Sequence, residues 1–432
     1  MLARSLVKGL LSLNNVRVVV VCAKPSEAHA GPDHHIAAPE VTAEQQARLL
    51  VLPVQLSDEG GWRRLDAVSA HGEFARGAAT LASQIHSELH GCLHLSHIAI
   101  DWTGGAAWAA LRDKYPGSAP KLVYLNFRVY SSGIANNAEP PPSWYDHKEQ
   151  DALSIAQHVI ALSRRDERSL QDLLFALPSE PTLDPATGVW QERALPEVSV
   201  QLPCLRGDMA ALAERAVDDH AHHLSPACIA ALNAAACPGR RCFVSCVNRL
   251  SAEKNSIRFA EMLETIGAEE LRRRGVTPLL CGAAAEPGYA NEVRRRVKAA
   301  CPSAVILEHH LGPDEMAALF SHTALNVHPC AYDAYGMSVV EAAAFGAPSL
   351  VNGRDEDGED TLGAAALLLD DGCVPVALAG GDVGVAAAAM LAALDDDKAL
   401  REVARKGRER ALGWGEAAAG EALYAVVRQS CA

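Results

Sequence analysis

No stretch of this 432-residue chain is apolar over the ~18–20 residues that a membrane-spanning helix needs. Aromatic residues are scarce at 5%, while hydrophobic residues reach 49%, so the core is expected to be aliphatic, built from Ala, Leu and Val. Basic residues are in deficit: 39 Lys and Arg face 53 Asp and Glu, for a formal net charge of −14. A surface of that sign excludes broad nucleic-acid binding, which needs clustered cations. Arg272–Arg274 and Arg294–Arg296 read as solvated helix faces. A local basic pocket for one phosphorylated small molecule stays open. The 12 cysteines include no CxxC pair, which excludes a zinc ribbon and a disulfide framework. Cys246 and Cys281 lie in apolar runs and read as small hydrophobes in a reducing compartment. No G-x-S-x-G and no Walker A sequence occurs, so serine-hydrolase and P-loop chemistry lose their support. The His-rich stretches Asp33-His34-His35, Asp218–His223 and His309-His310 lack metal-ligand spacing and read as solvated loops, and no metal is expected.

What is present is alternation. Short apolar runs alternate with helical patterns throughout, as in parallel α/β architecture. At ~150 residues per domain the length suits two or three domains. Strands are expected in the first half at Val16–Cys22, Leu50–Val54, His97–Ile100, Lys121–Leu125 and Val159–Leu162, with helices at Phe74–His90 and Ala106–Lys114. A proline-rich stretch, Leu177–Val200, reads as an insertion, and Pro203–Asp208 as a hinge. The second half restarts the pattern, with strands at Cys242–Val247, Thr277–Cys281, Ala304–Leu307, Ala324–His328 and Pro348–Val351. Helices are expected there at Asn255–Thr265, Tyr289–Ala299, Pro313–Ser321, Ser338–Phe345 and Glu416–Arg428. The expected division is an N-terminal domain over 1–203, a C-terminal domain over 204–412 and a closing helix over 413–432. Residues 1–26 carry Arg4, Lys8, Arg17 and Lys24 and no acid, which fits an organellar presequence. The β-forming run Val16–Cys22 favours a folded helix–strand start and a soluble, cytoplasmic protein, with peripheral membrane contact left open.

Two segments carry chemistry. In His328–Pro348 a strand ends at His328, a loop follows with Asp333, and a helix begins near Gly336. Gly336 lets a ligand approach the backbone, and the first amides of the helix (Gly336, Met337 and Ser338) would face an anion, aided by the helix dipole. Glu341, inside the helix, would reach the hydroxyls of a ribose or sugar, and Asp333 those of a second sugar. In Phe243–Asn255 a strand delivers Arg249, and Lys254 follows five residues later. A guanidinium fork and an ammonium point charge suit a diphosphate. The plainer alternatives are a buried α/β turn for the first segment and a surface ion pair with Glu253 for the second.

Together the pairs Arg249/Lys254 and Asp333/Glu341 resemble the R-x-x-x-x-K and acid-x₇-Glu elements of the family-four retaining glycosyltransferases, and His97–Gly105 with Leu122–Ser132 resembles a plant and green-algal subset of that family. Leu311–Phe320 and Trp414 resemble that family's turn-and-helix and the aromatic ahead of its last helix. The resemblance implies a GT-B fold: two Rossmann-like domains across a cleft, with a C-terminal helix returning to the first. It implies transfer of a sugar from a nucleoside-diphosphate donor to an acceptor hydroxyl with retention, without metal or cofactor. Arg249 and Lys254 would hold the diphosphate with the amides of Gly336, Met337 and Ser338. Glu341 would bind the ribose, and Asp333 the transferred sugar. On the acceptor side Asp101, Thr103 and Gly104, in a strand-to-helix turn, would face the cleft. Asn126 or Arg128 would stand where the family has a histidine. Asp333 stands where Glu is usual, and the family's opening strand and Gly-rich loop have no counterpart before Met1-Leu2-Ala3-Arg4. These departures motivate an alternative, a catalytically impaired GT-B nucleotide-binding or scaffold protein.

Overall fold

This computed structural model describes residues 2–24, 41–57, 69–115, 120–129, 144–177, 182–183, 190–191, 195–215, 224–234, 241–354, 358 and 360–431. The chain starts with α1 (Leu2–Leu11), β1 (Val18–Ala23), α2 (Ala43–Gln46), β2 (Leu49–Val54), α3 (Ala70–Thr80), α4 (Ala82–Glu88), β3 (Ser96–Ile100) and α5 (Asp101–Arg112). Next come β4 (Lys121–Leu125), α6 (Trp144–Ile155), β5 (His158–Ala161), α7 (Arg164–Phe175), β6 (Thr182–Leu183), β7 (Trp190–Gln191) and β8 (Glu197–Val200). The middle holds α8 (Gly207–Ala213), α9 (Pro226–Ala234), β9 (Phe243–Val247), a 3₁₀ turn (Ala252–Lys254), α10 (Ser256–Ile266), α11 (Ala268–Arg273), β10 (Thr277–Cys281) and α12 (Pro287–Ala300). Then follow β11 (Val305–Leu307), α13 (Pro313–Ser321), β12 (Thr323–His328), α14 (Met337–Ala344), β13 (Ser349–Asn352), α15 (Ala365–Leu368), β14 (Val374–Val376), α16 (Val383–Asp395), α17 (Asp397–Gly413) and α18 (Glu416–Cys431). Two compact units result: the chain up to Gln201 joins Glu416 onward, and Leu202–Gly415 forms the other.

The first unit holds a parallel sheet in the order β3-β4-β5-β8 and a separate parallel pair, β1-β2. All residues of β5, and Leu122–Leu125 of β4, are buried, as continuous apolar runs in parallel sheets require. By contrast all six residues of the equally apolar β1 are only half-buried. Leu6 and Leu10 of α1 and Leu423 of α18 pack with Val123, Leu125 and Ile160. Trp102, Trp108 and Leu153 pack with Tyr124 and Val159. Two expectations need correction here. The helix expected over Phe74–His90 is two helices, α3 and α4, parted at Leu81. The turn expected at Asp101–Gly105 is already helix, because α5 begins at Asp101.

The second unit is one six-stranded parallel sheet in the order β11-β10-β9-β12-β13-β14. Every residue of β9 is buried, and Phe259, Leu263 and Val293 cover one face while Phe320, Val339 and Ala343 belong to the core of the other. Pro313 opens α13, and the Glu315 carboxylate turns back to the Gly312 N–H at 3.1 Å, closing that helix start. Strand order reverses between β9 and β12, so the loops leaving these two neighbours diverge to opposite sides at their carboxyl ends. Such a switch point is where ligands enter open parallel sheets. Among the described residues ten cysteines are free thiols, and no helix is long and apolar enough to cross a membrane.

Helices α1 and α18 meet at two glycines. A Cβ on Gly9 would lie 2.2 Å from the Glu416 carbonyl oxygen and 3.0 Å from the Gly420 Cα, and one on Gly420 would lie 2.1 Å from the Gly9 carbonyl carbon. Backbone cannot yield as a flexible side chain does, so each methyl over-packs the crossing. Gly9→Ala and Gly420→Ala are each expected to lower unfolding free energy by about 1–3 kcal/mol in urea denaturation.

Candidate active site

At the carboxyl end of β9 the chain enters the 3₁₀ turn Ala252–Lys254, and Asn255 takes the left-handed conformation, φ +51°, before α10. The amide of Asn255 donates from Nδ2 to the Pro329 carbonyl at 3.2 Å, and the Cys330 thiol meets the Glu253 carbonyl at 3.2 Å. These bonds fasten the loop after β9 to the loop after β12. Lys254 then extends Nζ to within 2.6 Å of Asp333 Oδ2, and His328 Nε2 lies 3.2 Å from the same oxygen. Burial alone would raise the Asp333 carboxyl, but Lys254 and His328 hold it well below the ordinary carboxylate range. Lys254 is drawn up in turn: burial works against its charge, and Asp333 outweighs that. The pairing of Lys254 with Asp333 joins two residues that the sequence set 79 positions apart.

Gly336 caps α14 in the left-handed region at φ +85°. A Cβ there would come within 2.4 Å of Leu362 Cδ1. Both facts call for glycine. Met337 and Ser338 open α14 and are half-buried. Arg249 departs from the expected convergence: its guanidinium pairs with Glu253, four residues on, and its side chain is half-exposed. The cause is local, since Glu253 lies one turn away on the same segment. Lys254, expected at the helix entrance, sits one residue short of Asn255 in the 3₁₀ turn.

Glu341, in the body of α14, is buried and meets Arg206, whose Nη1 stands 3.5 Å from Oε1. Burial pushes the Glu341 carboxyl up to about 7; Arg206 pulls it back and Asp208 adds to the rise. Neither Arg206 nor His328 stood out as a functional residue in the sequence. The available signal was a lone cation in the apolar turn Pro203–Asp208.

In the first unit, Asp101 follows β3 and Asn126 follows the neighbouring β4. Asp101 adopts φ +53°, and its Oδ1 accepts the Phe127 N–H at 2.7 Å. Burial pushes its carboxyl up to about 6, the Phe127 amide pulls it down and Glu149 pushes it up. Asn126 is fully buried; its Nδ2 donates to the Tyr124 hydroxyl at 3.1 Å, and its Oδ1 has no partner among the described residues. Arg128 is exposed, and Thr103 is half-buried in the first turn of α5. Gly104 and Gly105 lie inside that helix. A Cβ on Gly104 would stand 3.1 Å from the Ala99 backbone, and one on Gly105 2.8 Å from the Ala152 Cβ. Close packing of α5 on β3 and α6 explains this glycine pair.

One set of side chains among the described residues could hold a metal: His328, Cys330 and Asp333, whose donor atoms lie within 4.8 Å of one another. The set does not fit one as it stands. Lys254 already holds Asp333, and burial pushes the Cys330 thiol up to about 12. Of the histidine-rich stretches, those at 33–35 and 218–223 lie outside the described residues, and His309 Nε2 is 3.1 Å from Glu315.

Among solved structures, sucrose-phosphate synthase from Thermosynechococcus elongatus matches 98% of this chain and 91% of its own, with TM-score 0.67 and 16% identity. The α,α-trehalose 6-phosphate synthase of Burkholderia multivorans matches 96% of this chain and 98% of its own, with TM-score 0.66 and 14% identity. The fold is that of the GT-B glycosyltransferases. A UDP-forming α,α-trehalose-phosphate synthase from Burkholderia xenovorans, in complex with glucose-6-phosphate, matches 95% of this GT-B chain with TM-score 0.62 and 13% identity. No protein-family model and no curated protein matches the sequence.

The buried ion pair gives a stability prediction. Lys254→Met leaves the Asp333 charge with His328 alone, at a cost of about 3 kcal/mol near pH 7. Asp333 titrates below its unfolded value, so the stability from its ionised form is present above about pH 4 and is lost as pH falls through the folded value. Denaturation curves of Lys254→Met and the parent are expected to lie far apart at pH 7 and to begin approaching one another only below about pH 4.

Proposed function

We propose that the protein transfers a sugar from a nucleoside-diphosphate donor to an acceptor hydroxyl, with retention and without a metal. The observation that carries this reading is the meeting of two sequence elements at the carboxyl ends of adjacent strands: Lys254 after β9 and Asp333 after β12 form an ion pair beside the glycine-capped start of α14.

In this reading the donor diphosphate takes Lys254 from Asp333. One anion replaces another, so the ammonium is never left buried and unpaired. The released Asp333 accepts hydroxyls of the transferred sugar, with His328 still at its side. The α14 amides and its dipole neutralise the phosphate oxygens as charge grows on the leaving group. Arg249 swings from Glu253 to the diphosphate, and Glu341 accepts the ribose hydroxyls. The acceptor hydroxyl attacks on the donor's own face, and the leaving diphosphate takes its proton. Asp101, Thr103, Asn126 and Arg128 belong to the acceptor side in this reading, with the unpartnered Asn126 Oδ1 as the group best suited to receive a hydroxyl. The synthases of similar fold suggest uridine as the first base to try and a sugar phosphate as the first acceptor.

The second reading, nucleotide binding without transfer, draws on the cations: Lys254 and Arg249 are both engaged by nearby acids. Calorimetry with UDP and GDP, alongside release of nucleoside diphosphate from their sugars in the presence of acceptors, separates the two. Transfer by the parent, lost at least about a hundredfold in Lys254→Ala and Glu341→Ala that still give the parent circular-dichroism spectrum, is the expected result. Nucleotide binding with no turnover would leave the second reading standing.

A further inference from the structure

The proposed reading uses Glu341 and leaves unexplained why a guanidinium from another segment is set against it. Arg206 is the residue before α8, and its side chain is largely buried. It faces two acids. Toward Asp208 it makes a two-pronged contact, Nε to Oδ1 at 3.0 Å and Nη2 to Oδ2. Toward Glu341 it presents Nη1, at 3.5 Å. Asp208 is itself fixed, because its Oδ1 accepts the Met209 N–H at 2.8 Å. The segment is anchored from its other side too: Trp414 Nε1 donates to the Leu202 carbonyl at 3.0 Å, and the Leu205 N–H donates to the Trp414 carbonyl at 3.0 Å.

We infer that Arg206 is a positioning residue: one guanidinium shared between Asp208 and Glu341 sets the aim and the charge of the Glu341 carboxylate, and so makes nucleotide capture depend on pH. The inference rests on Glu341 as the ribose-binding group. Three charges stand together, Glu341 buried and Arg206 and Asp208 half-buried, and when both acids are ionised one negative charge is in excess. The tight contact goes to Asp208, which leaves Glu341 the weaker share and makes it the group that takes up a proton. Other arginines reach α14 only at its far end: Arg408 at the Ala344 carbonyl and Arg241 at the Phe345 carbonyl. Among the described residues Arg206 and Asp208 are therefore the charged groups that bear on the Glu341 carboxylate. An ionised Glu341 accepts two ribose hydroxyls; a protonated one must spend its own O–H and accepts less well. Nucleotide affinity should therefore rise as Glu341 loses its proton.

Two measurements on the full chain test this. The first needs no ligand. Because burial holds Glu341 near 7, above its unfolded value, its protonated form favours folding, and this contribution is lost as pH rises through about 7. Denaturation midpoints of the parent and Glu341→Gln are expected to run together below about pH 4, to draw apart as pH rises, and to stop parting only near pH 7. With Arg206→Met as the background, the upper end of the parting moves up by about one pH unit or more, since an opposing charge has gone. Arg206→Lys, which keeps the charge, restores most of the parent value and guards against a variant that merely loosens α8. The second measurement is UDP titration by calorimetry over the same range. Affinity is expected to rise through pH 7 in the parent, to stay flat in Glu341→Gln relative to the parent's acid value, and to be about tenfold weaker at pH 7 in Arg206→Met. A parting already complete within the ordinary carboxylate range, or one whose upper end Arg206→Met leaves in place, overturns the inference. Absence of UDP binding to the parent at every pH sinks the nucleotide reading instead, and the denaturation arm still decides the role of Arg206.

Discussion

Two acids, Glu341 buried and Asp333 largely so, are drawn from water beyond the carboxyl ends of one parallel sheet, and each has to find a cation elsewhere in the chain. Asp333 finds Lys254, and Glu341 finds Arg206. A carboxylate withdrawn from water without such a partner would cost several kcal/mol or take up a proton. The two answers differ in kind. Asp333 has an ammonium at 2.6 Å and a histidine besides, and stays strongly acidic. Glu341 has a guanidinium at 3.5 Å already committed to Asp208, and its carboxyl is drawn toward neutrality. One acid is held charged and the other is poised to change charge.

The same constraint recurs in the first unit, with a backbone answer. The Phe127 N–H holds the Asp101 carboxylate, which draws the exit of β4 toward the exit of β3. The left-handed backbone at Asp101 is the cost of turning from β3 into α5 without an intervening loop. Asn126 beside it is a buried amide whose carbonyl oxygen is unanswered among the described residues. A buried acceptor with no donor is expensive to keep.

Much of this was readable from residue order. Apolar runs marked Lys121–Leu125, Thr277–Cys281 and the helix Pro313–Ser321 at their observed bounds, because runs buried on both faces and a proline at a helix start leave strong local patterns. The helix start near Gly336 was legible for a similar reason, since a glycine before an apolar helical pattern is a strong local signal; its left-handed backbone and the ion pair of Lys254 with Asp333 came only from the structure. The start of α5 was misread because Gly104 and Gly105 look like loop residues. They are glycines because Ala99 and Ala152 press on the helix, and that pressure comes from elements distant in sequence.

Composition and local pattern determined the class of architecture, the alternation of strand and helix, and the residue types in the two segments Phe243–Asn255 and His328–Pro348. They did so because burial and helix capping act over a few neighbouring residues. Which charge faces which was decided only in three dimensions. Arg249 and Lys254 read as an equivalent pair along the chain, yet one turns to Glu253 on its own segment and the other to Asp333 on the next strand's loop. Arg206 is a lone cation in a turn until α8 and α14 pack together and bring it to Glu341. Coulomb interactions depend on distance and on burial, and neither quantity exists until the sheet has set its strand order.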